Sequence, residues 1–138
     1  ALSELTVSES AARRGLKNIP FGKQLENLKQ TAQRMDAIRE GLGKPIIVTS
    51  GYRSPEVNAA IGGSKTSAHC HGLAVDFTCP GYGNPLAVAK AILASGLEFD
   101  QLIHEYGAWV HIGFAEAGKP SRRQTLTINK RGTLAGLQ

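Results

Sequence analysis

The chain has 138 residues and a mass of 14.7 kDa, enough for one domain around a single core and too little for two ordinary ones. Its 41% hydrophobic and 20% charged residues exclude disorder and a collagen-like chain, and no uncharged apolar run reaches the roughly 18 residues of a membrane span. The net charge of +5 and a pI near 9.5 point to a polyanionic partner, whether nucleic acid, anionic lipid or anionic bacterial wall polymer.

The N-terminus, Ala1-Leu2-Ser3-Glu4, lacks a basic start followed by an apolar stretch. No cleavable signal is therefore expected in the chain as given, with any export using another route or completed before this numbering begins. Ser8 to Arg14 is predicted as a short helix, capped by Ser8 and ended by Gly15. Phe21, Leu25, Leu28, Ala32, Met35 and Leu42 recur at three-, four- and seven-residue intervals among Lys, Glu, Gln and Arg, which predicts an amphipathic scaffold helix ending near Gly41-Leu42-Gly43.

The β-branched run Ile46-Ile47-Val48-Thr49 predicts a short buried strand ending at Ser50-Gly51. Ser54-Pro55 then caps one or two helical turns through Ala60, which Gly62-Gly63 breaks. Gly72 to Thr78 is predicted as a second strand, and Asn84-Pro85 caps a helix through Leu93. Phe99 to Glu105 and Trp109 to Phe114 are expected as strands of a hairpin around Tyr106-Gly107-Ala108. The expectation is an α+β fold, with N-terminal helices packed on a small, mainly antiparallel sheet. No repeat or linker divides the chain, so residues 1–138 are expected as one domain, with a basic C-terminal tail from about 115.

Cys70 and Cys79 are too few for a disulfide scaffold and are expected as reduced thiols, with a local disulfide between them as the alternative. Basic residues group in Arg13, Arg14 and Lys17 and again in Lys119, Arg122, Arg123, Lys130 and Arg131. They lack the interleaved aromatics of a single-strand nucleic-acid groove, so these are expected as solvated basic faces and nucleic acid is not expected as a partner.

Three of the four histidines and Asp76 fall in or beside the expected strands. His69 and Asp76 are seven residues apart, about 23 Å along a straight strand. Ligands of one zinc lie only about 2.0–2.2 Å from it, so the two can share a metal only if the chain turns between them. Gly72 is where it could turn, and His111, on a later strand, would complete three nitrogen and oxygen ligands with a fourth position left for water. The alternative is that His69 and His71 are polar loop residues and His111 pairs with a neighbour.

The run Ser67-Ala68-His69-Cys70-His71-Gly72-Leu73-Ala74-Val75-Asp76 resembles the Ser-x-His-x-x-Gly-x-Ala-x-Asp motif of the zinc D-Ala-D-Ala carboxypeptidase family, which includes phage endolysins and murein endopeptidases. Trp109-Val110-His111 resembles its Trp-x-His motif, and further similarity lies in Ser50 to Ser54, in Asn58 with Gly62-Gly63, and in Phe99 to Ile103. The resemblance runs from about Leu5 to Phe114. It implies zinc held by His69, Asp76 and His111, with Arg53 and Ser67 lining the substrate cleft, on the small α+β fold shared with the hedgehog signalling domain. It implies a monomeric enzyme cutting an amide bond in the peptide stem of peptidoglycan, with the anionic wall suiting its charge. A phage lysin would reside in the host cytoplasm before lysis and act in the periplasm and cell wall.

A zinc peptidase needs a general base, and His104 and Glu105 compete for the role. A two-residue turn at Gly107-Ala108 would set His104 across from His111, whereas a bulge or longer loop would turn Glu105 inward. The family pattern has an acidic residue just before this hairpin, which ranks Glu105 first and His104 second. Arg53, following a strand and preceding a capped turn, has the planar fork that suits a peptide carboxylate, or else pairs with Glu56 on the surface. Trp109 is expected to pack beside the site. Two rival readings are a non-catalytic wall-binding module that keeps zinc for structure, and a zinc knuckle built from Cys70, Cys79 and two histidines.

Overall fold

Twenty residues, Lys23–Leu42, form the long helix α1 in the computed structural model, which describes residues 2–6, 15–63 and 67–138. The helix expected over Ser8 to Arg14 lies outside the described residues. Leu28, Met35, Ile38 and Leu42 bury one face of α1, and Gly43 ends it in the left-handed conformation, its N–H bonded to the Arg39 carbonyl. The start differs from expectation: α1 begins two residues after Phe21, which is 73% exposed, and Leu25 is only half-buried. Ile38 fills the core instead, and the polar residues Asn27 and Thr31 share the buried face.

The remaining elements follow as β1 (Ile47–Ser50), α2 (Pro55–Ala60), a 3-10 turn (Ala68–His71), β2 (Ala74–Thr78) and α3 (Pro85–Ala94). After them come β3 (Gln101–Glu105), β4 (Trp109–Gly113), β5 (Gln124–Asn129) and β6 (Gly132–Ala135). Both short helices start as expected: Ser54 Oγ accepts from Val57 N and Asn84 Oδ1 from Ala87 N, each before a proline already shaped for the first turn.

Among the described residues, six strands form one sheet in the order β1-β2-β4-β3-β5-β6, in which only the β3–β5 pair is parallel. The α+β, mainly antiparallel expectation therefore holds. Side-chain alternation sorts the sheet into two faces. Val75, Phe77, Leu102, Val110 and Ile112 are all buried and form one core with Val88, Ala89 and Ile92 of α3 and the apolar face of α1. Their alternates Asp76, His111, Ile103, Glu105 and Trp109 project from the other face, where Asp76 pairs with His111, His111 with Ile103, and Glu105 with Trp109.

Two expectations are corrected. The first strand is not buried: β1 lies at the sheet edge with alternate residues exposed, including Ile47 at 53%. The segment from about 115 is not a tail, because it contributes β5 and β6. Leaving β4, the chain passes β3 and returns antiparallel to β4, which makes β5 parallel to β3 without a crossover helix.

Basic side chains anchor that passage. Arg34 lies 5.2 Å from the Phe114 ring centroid and donates to the Ala115 carbonyl. Arg122 grips Asp100 through two bonds of 2.9 and 2.7 Å, and Arg123 lies 4.7 Å from the centre of the Phe99 ring while donating to the Leu97 and Leu93 carbonyls. Arg122 and Arg123 are thus structural anchors rather than part of a free basic face; Lys130 and Arg131 are exposed at the β5–β6 turn.

Gly72 decides where the turn before β2 can sit. It is left-handed (φ 72°), and an added Cβ would lie 2.6 Å from the Gln24 carbonyl oxygen and 3.1 Å from Leu28 N. Gly96 has a similar φ of 77° but open space around it. Gly96→Ala should therefore cost about 1–2 kcal/mol for the backbone alone, and Gly72→Ala about 1–3 kcal/mol more for the clash, compared by denaturant unfolding.

Candidate metal centre

Ser67 caps the 3-10 turn that carries His69, its Oγ accepting from His69 N, and Gly72 turns the chain into β2. The seven-residue gap between His69 and Asp76 is thereby folded back on itself. His69 is 2% exposed, and its Nδ1 lies 2.7 Å from the Gly51 carbonyl oxygen. A carbonyl only accepts, so Nδ1 carries the proton and Nε2 keeps its lone pair. That nitrogen faces Asp76 Oδ1 at 3.3 Å, while His111 Nδ1 approaches the same oxygen at 2.9 Å. The two imidazole rings stand edge-on, 5.1 Å apart at 67°.

One donor atom from each of His69, Asp76 and His111 thus falls within 4.8 Å of the others. Two facts show that this set fits zinc. Ligand atoms 2.0–2.2 Å from a tetrahedral zinc are about 3.4 Å apart; here Asp76 Oδ1 lies 3.3 and 2.9 Å from the two histidine nitrogens and all three donors fall within 4.8 Å, a spacing that brackets it. The Nε2 lone pair and the Oδ1 lone pairs also point at one another, an arrangement that needs a proton or a cation between them. Burial works to raise the Asp76 pKa, but the hydrogen bond with His111 and the two imidazoles beside the carboxyl outweigh it and hold it well below the usual range. The oxygen donor is therefore ionised.

The hairpin register decides which acid–base group joins this set. Tyr106 (φ 54°) and Gly107 (φ 65°) form the tip, and Ala108 N donates to Glu105 O at 3.0 Å. Ala108 is left as an extra residue, so Glu105 pairs with Trp109 and Ile103 with His111. The turn centred on Gly107-Ala108 that would bring His104 opposite His111 is not formed. His104 faces the core side of the sheet, its Nδ1 3.0 Å from the Gln138 carbonyl oxygen. Glu105 shares the face of the metal set, with Oε1 3.9 Å from His111 Nδ1. Burial, then the nearby Asp76 charge, raises the Glu105 pKa, against smaller lowering by His111 and Arg53.

A cleft of about 1110 Å³ runs over these groups. Arg53 and Ser67 line it together, the guanidinium donating to Ser67 Oγ at 3.2 Å rather than lying flat on the surface with Glu56. Among the described residues, Arg53 Nε and Trp109 Nε1 are buried without a hydrogen-bond partner. Trp109 also lines the cleft, 5.6 Å from the Tyr106 ring, and so does more than pack beneath it.

Neither cysteine belongs to the metal set. Cys70 is buried, and Cys79 Sγ is 3.2 Å from the Pro45 carbonyl oxygen. The cleft includes residues for which the sequence suggested no such place, among them Gln24, Asn27, Ile103 and Ile128, and it takes in Arg122, expected only as part of a solvated basic face. Alternation with Glu105 could have found Ile103, and the alternating run Thr125-Leu126-Thr127-Ile128 was the strand signal that could have found Ile128.

A family model of Peptidase M15 matches residues 1–113, a span holding all three metal-set residues, Arg53, Ser67 and Glu105. No curated protein matches the chain.

Replacing Cys70 and Cys79 together with serine should leave about one zinc per chain, measured by metal analysis after dialysis. Asp76→Ala should lose most of it, because it removes the only anionic ligand of the three.

Proposed function

The chain belongs to the peptidase M15 family of zinc, D-Ala-D-Ala carboxypeptidase-like peptidases, and on that premise we propose that it hydrolyses an amide bond in the peptide stem of bacterial peptidoglycan. The observation that carries this reading is the His69, Asp76 and His111 set with the Glu105 carboxylate beside it on one cleft face. His69 Nε2, Asp76 Oδ1 and His111 Nδ1 would hold the zinc. Bound there, it supplies a Lewis acid for the scissile carbonyl and brings the pKa of a water near 7.

The chain's own residues do the rest. Glu105 takes a proton from the attacking water at its carboxylate and delivers it to the nitrogen of the leaving amine, restoring the carboxylate. Burial and the nearby Asp76 charge raise its pKa, which favours its holding the proton between the two halves of that transfer. Arg53, aligned by Ser67, binds a carboxylate of the stem peptide, and its unpaired Nε leaves a donor for that purpose. Asp76 stays ionised through its two histidines. The basic surface, including Lys130 and Arg131, suits encounter with an anionic wall, consistent with a lytic or wall-remodelling enzyme of a phage or bacterium. A module that used zinc for structure alone has no need of a desolvated carboxylate 3.9 Å from a ligand.

The test is mass spectrometry of muropeptides after incubation with the zinc-loaded protein, which identifies both activity and bond. Unchanged muropeptides would overturn the reading. Glu105→Gln keeps the side chain's size and the three ligands, so zinc should stay bound while the rate falls about 10²-fold or more. His104→Gln should cost far less, because that side chain faces away from the cleft.

A further inference from the structure

Gln24, Asn27 and Thr31 lie three and four residues apart, in one line along α1. An amphipathic helix would place apolar side chains on that line, yet Asn27 is 5% exposed and Thr31 fully buried. Each finds a partner beside the metal set. Thr31 Oγ1 donates to the Gly72 carbonyl at 2.7 Å, and Asn27 Nδ2 donates to the His71 carbonyl at 3.0 Å. Gln24 Oε1 accepts from the buried Tyr52 hydroxyl at 3.0 Å. Tyr52 follows Gly51, the residue whose carbonyl takes the proton of His69 Nδ1.

The line therefore grips both peptide segments that define His69: the turn that carries it and the segment that presents its acceptor. A lone 3-10 turn leaves carbonyls unpaired at its end, and buried polar groups cost free energy unless bonded. Gly72 admits the contact, because only a residue without Cβ can lie this close to the Gln24 carbonyl. Burial energy alone does not ask for three polar groups here. Orientation of an imidazole does, since the group bonded to the second ring nitrogen sets how well the first can bind metal.

We propose that Gln24, Asn27 and Thr31 are positioning residues that aim His69 Nε2 and thereby set the affinity of the metal centre. The proposal rests on the zinc reading. Its test is zinc affinity by chelator competition on the purified protein, alongside thermal unfolding of the metal-free form. Thr31→Val removes only the hydroxyl, and Asn27→Leu only the amide; each should weaken zinc binding about tenfold or more, the usual effect of losing a partner behind a ligand. Thr31→Ser, which restores the donor, should stay within about threefold of the parent. Val88→Ala, in the core on the opposite side of the sheet, should lower the unfolding temperature without changing zinc affinity.

Should Thr31→Val not fold, Tyr52→Phe removes the hydroxyl that Gln24 receives and should also weaken zinc binding. Parent-like affinity in the Thr31, Asn27 and Tyr52 variants, or an equal loss in Val88→Ala, would overturn the proposal while leaving the zinc reading intact. Absence of zinc binding by the parent protein would overturn both.

Discussion

One carboxylate oxygen, Asp76 Oδ1, sits 2.9 Å from His111 Nδ1 and 3.3 Å from the unprotonated Nε2 of His69. Such a meeting of lone pairs is unfavourable in a buried site without a proton or a cation between them, and the surrounding structure exists to impose it. The β2–β4 register brings Asp76 and His111 face to face, while Gly72 folds the chain so that His69 arrives from a separate turn. The Gly51 carbonyl then fixes which nitrogen of His69 is free. A sheet and a turn braced by a helix can hold three donors this close, where one flexible loop would let them part.

The same sheet separates its two jobs by side-chain alternation. Core residues of β2, β3 and β4 face α1 and α3, and the residues between them form the cleft floor. A carboxylate at Glu105 on the apolar side would have been costly; on the cleft side it is half-shielded, which raises its pKa without neutralising the nearby Asp76. The extra residue at Ala108 puts Glu105 rather than His104 on that side. A one-residue change in hairpin geometry thus selects the chemistry available beside the metal set.

The family match ends at residue 113, but the fold does not. Strands β5 and β6 widen the sheet, and β5 places Ile128 at the cleft beside Glu105. The segment leading to β5 brings Arg122 to the cleft already bound by Asp100, so this wall is pre-set rather than free to collapse. The peptidase core therefore carries an additional wall built from chain outside the family match.

Much of the fold was legible because local rules act over short distances. The caps at Ser54 and Asn84, the stop at Gly43, and the hairpin tip all follow from residues within a turn of one another. The separation of His69 from Asp76 likewise meant that a shared metal needs a turn between them, and Gly72 was the residue that could supply it. Other features depended on partners far along the chain. Asn27 and Thr31 are ordinary polar residues of a helix until His71 and Gly72 are placed against them. The segment after Phe114 carries an alternating Gln124-Thr125-Leu126-Thr127-Ile128 run that reading it as a basic tail passed over, and its place in the sheet comes from the open edge of β3. By itself, the sequence determined which residues could hold a metal, where the two short helices begin and where α1 stops. The hairpin register turned on whether Ala108 joins the turn, a local choice that Tyr106-Gly107-Ala108 left open. Tertiary structure decided the pairing of the C-terminal segment with β3 and the brace on His69, because each depends on hydrogen bonds between residues far apart in the chain.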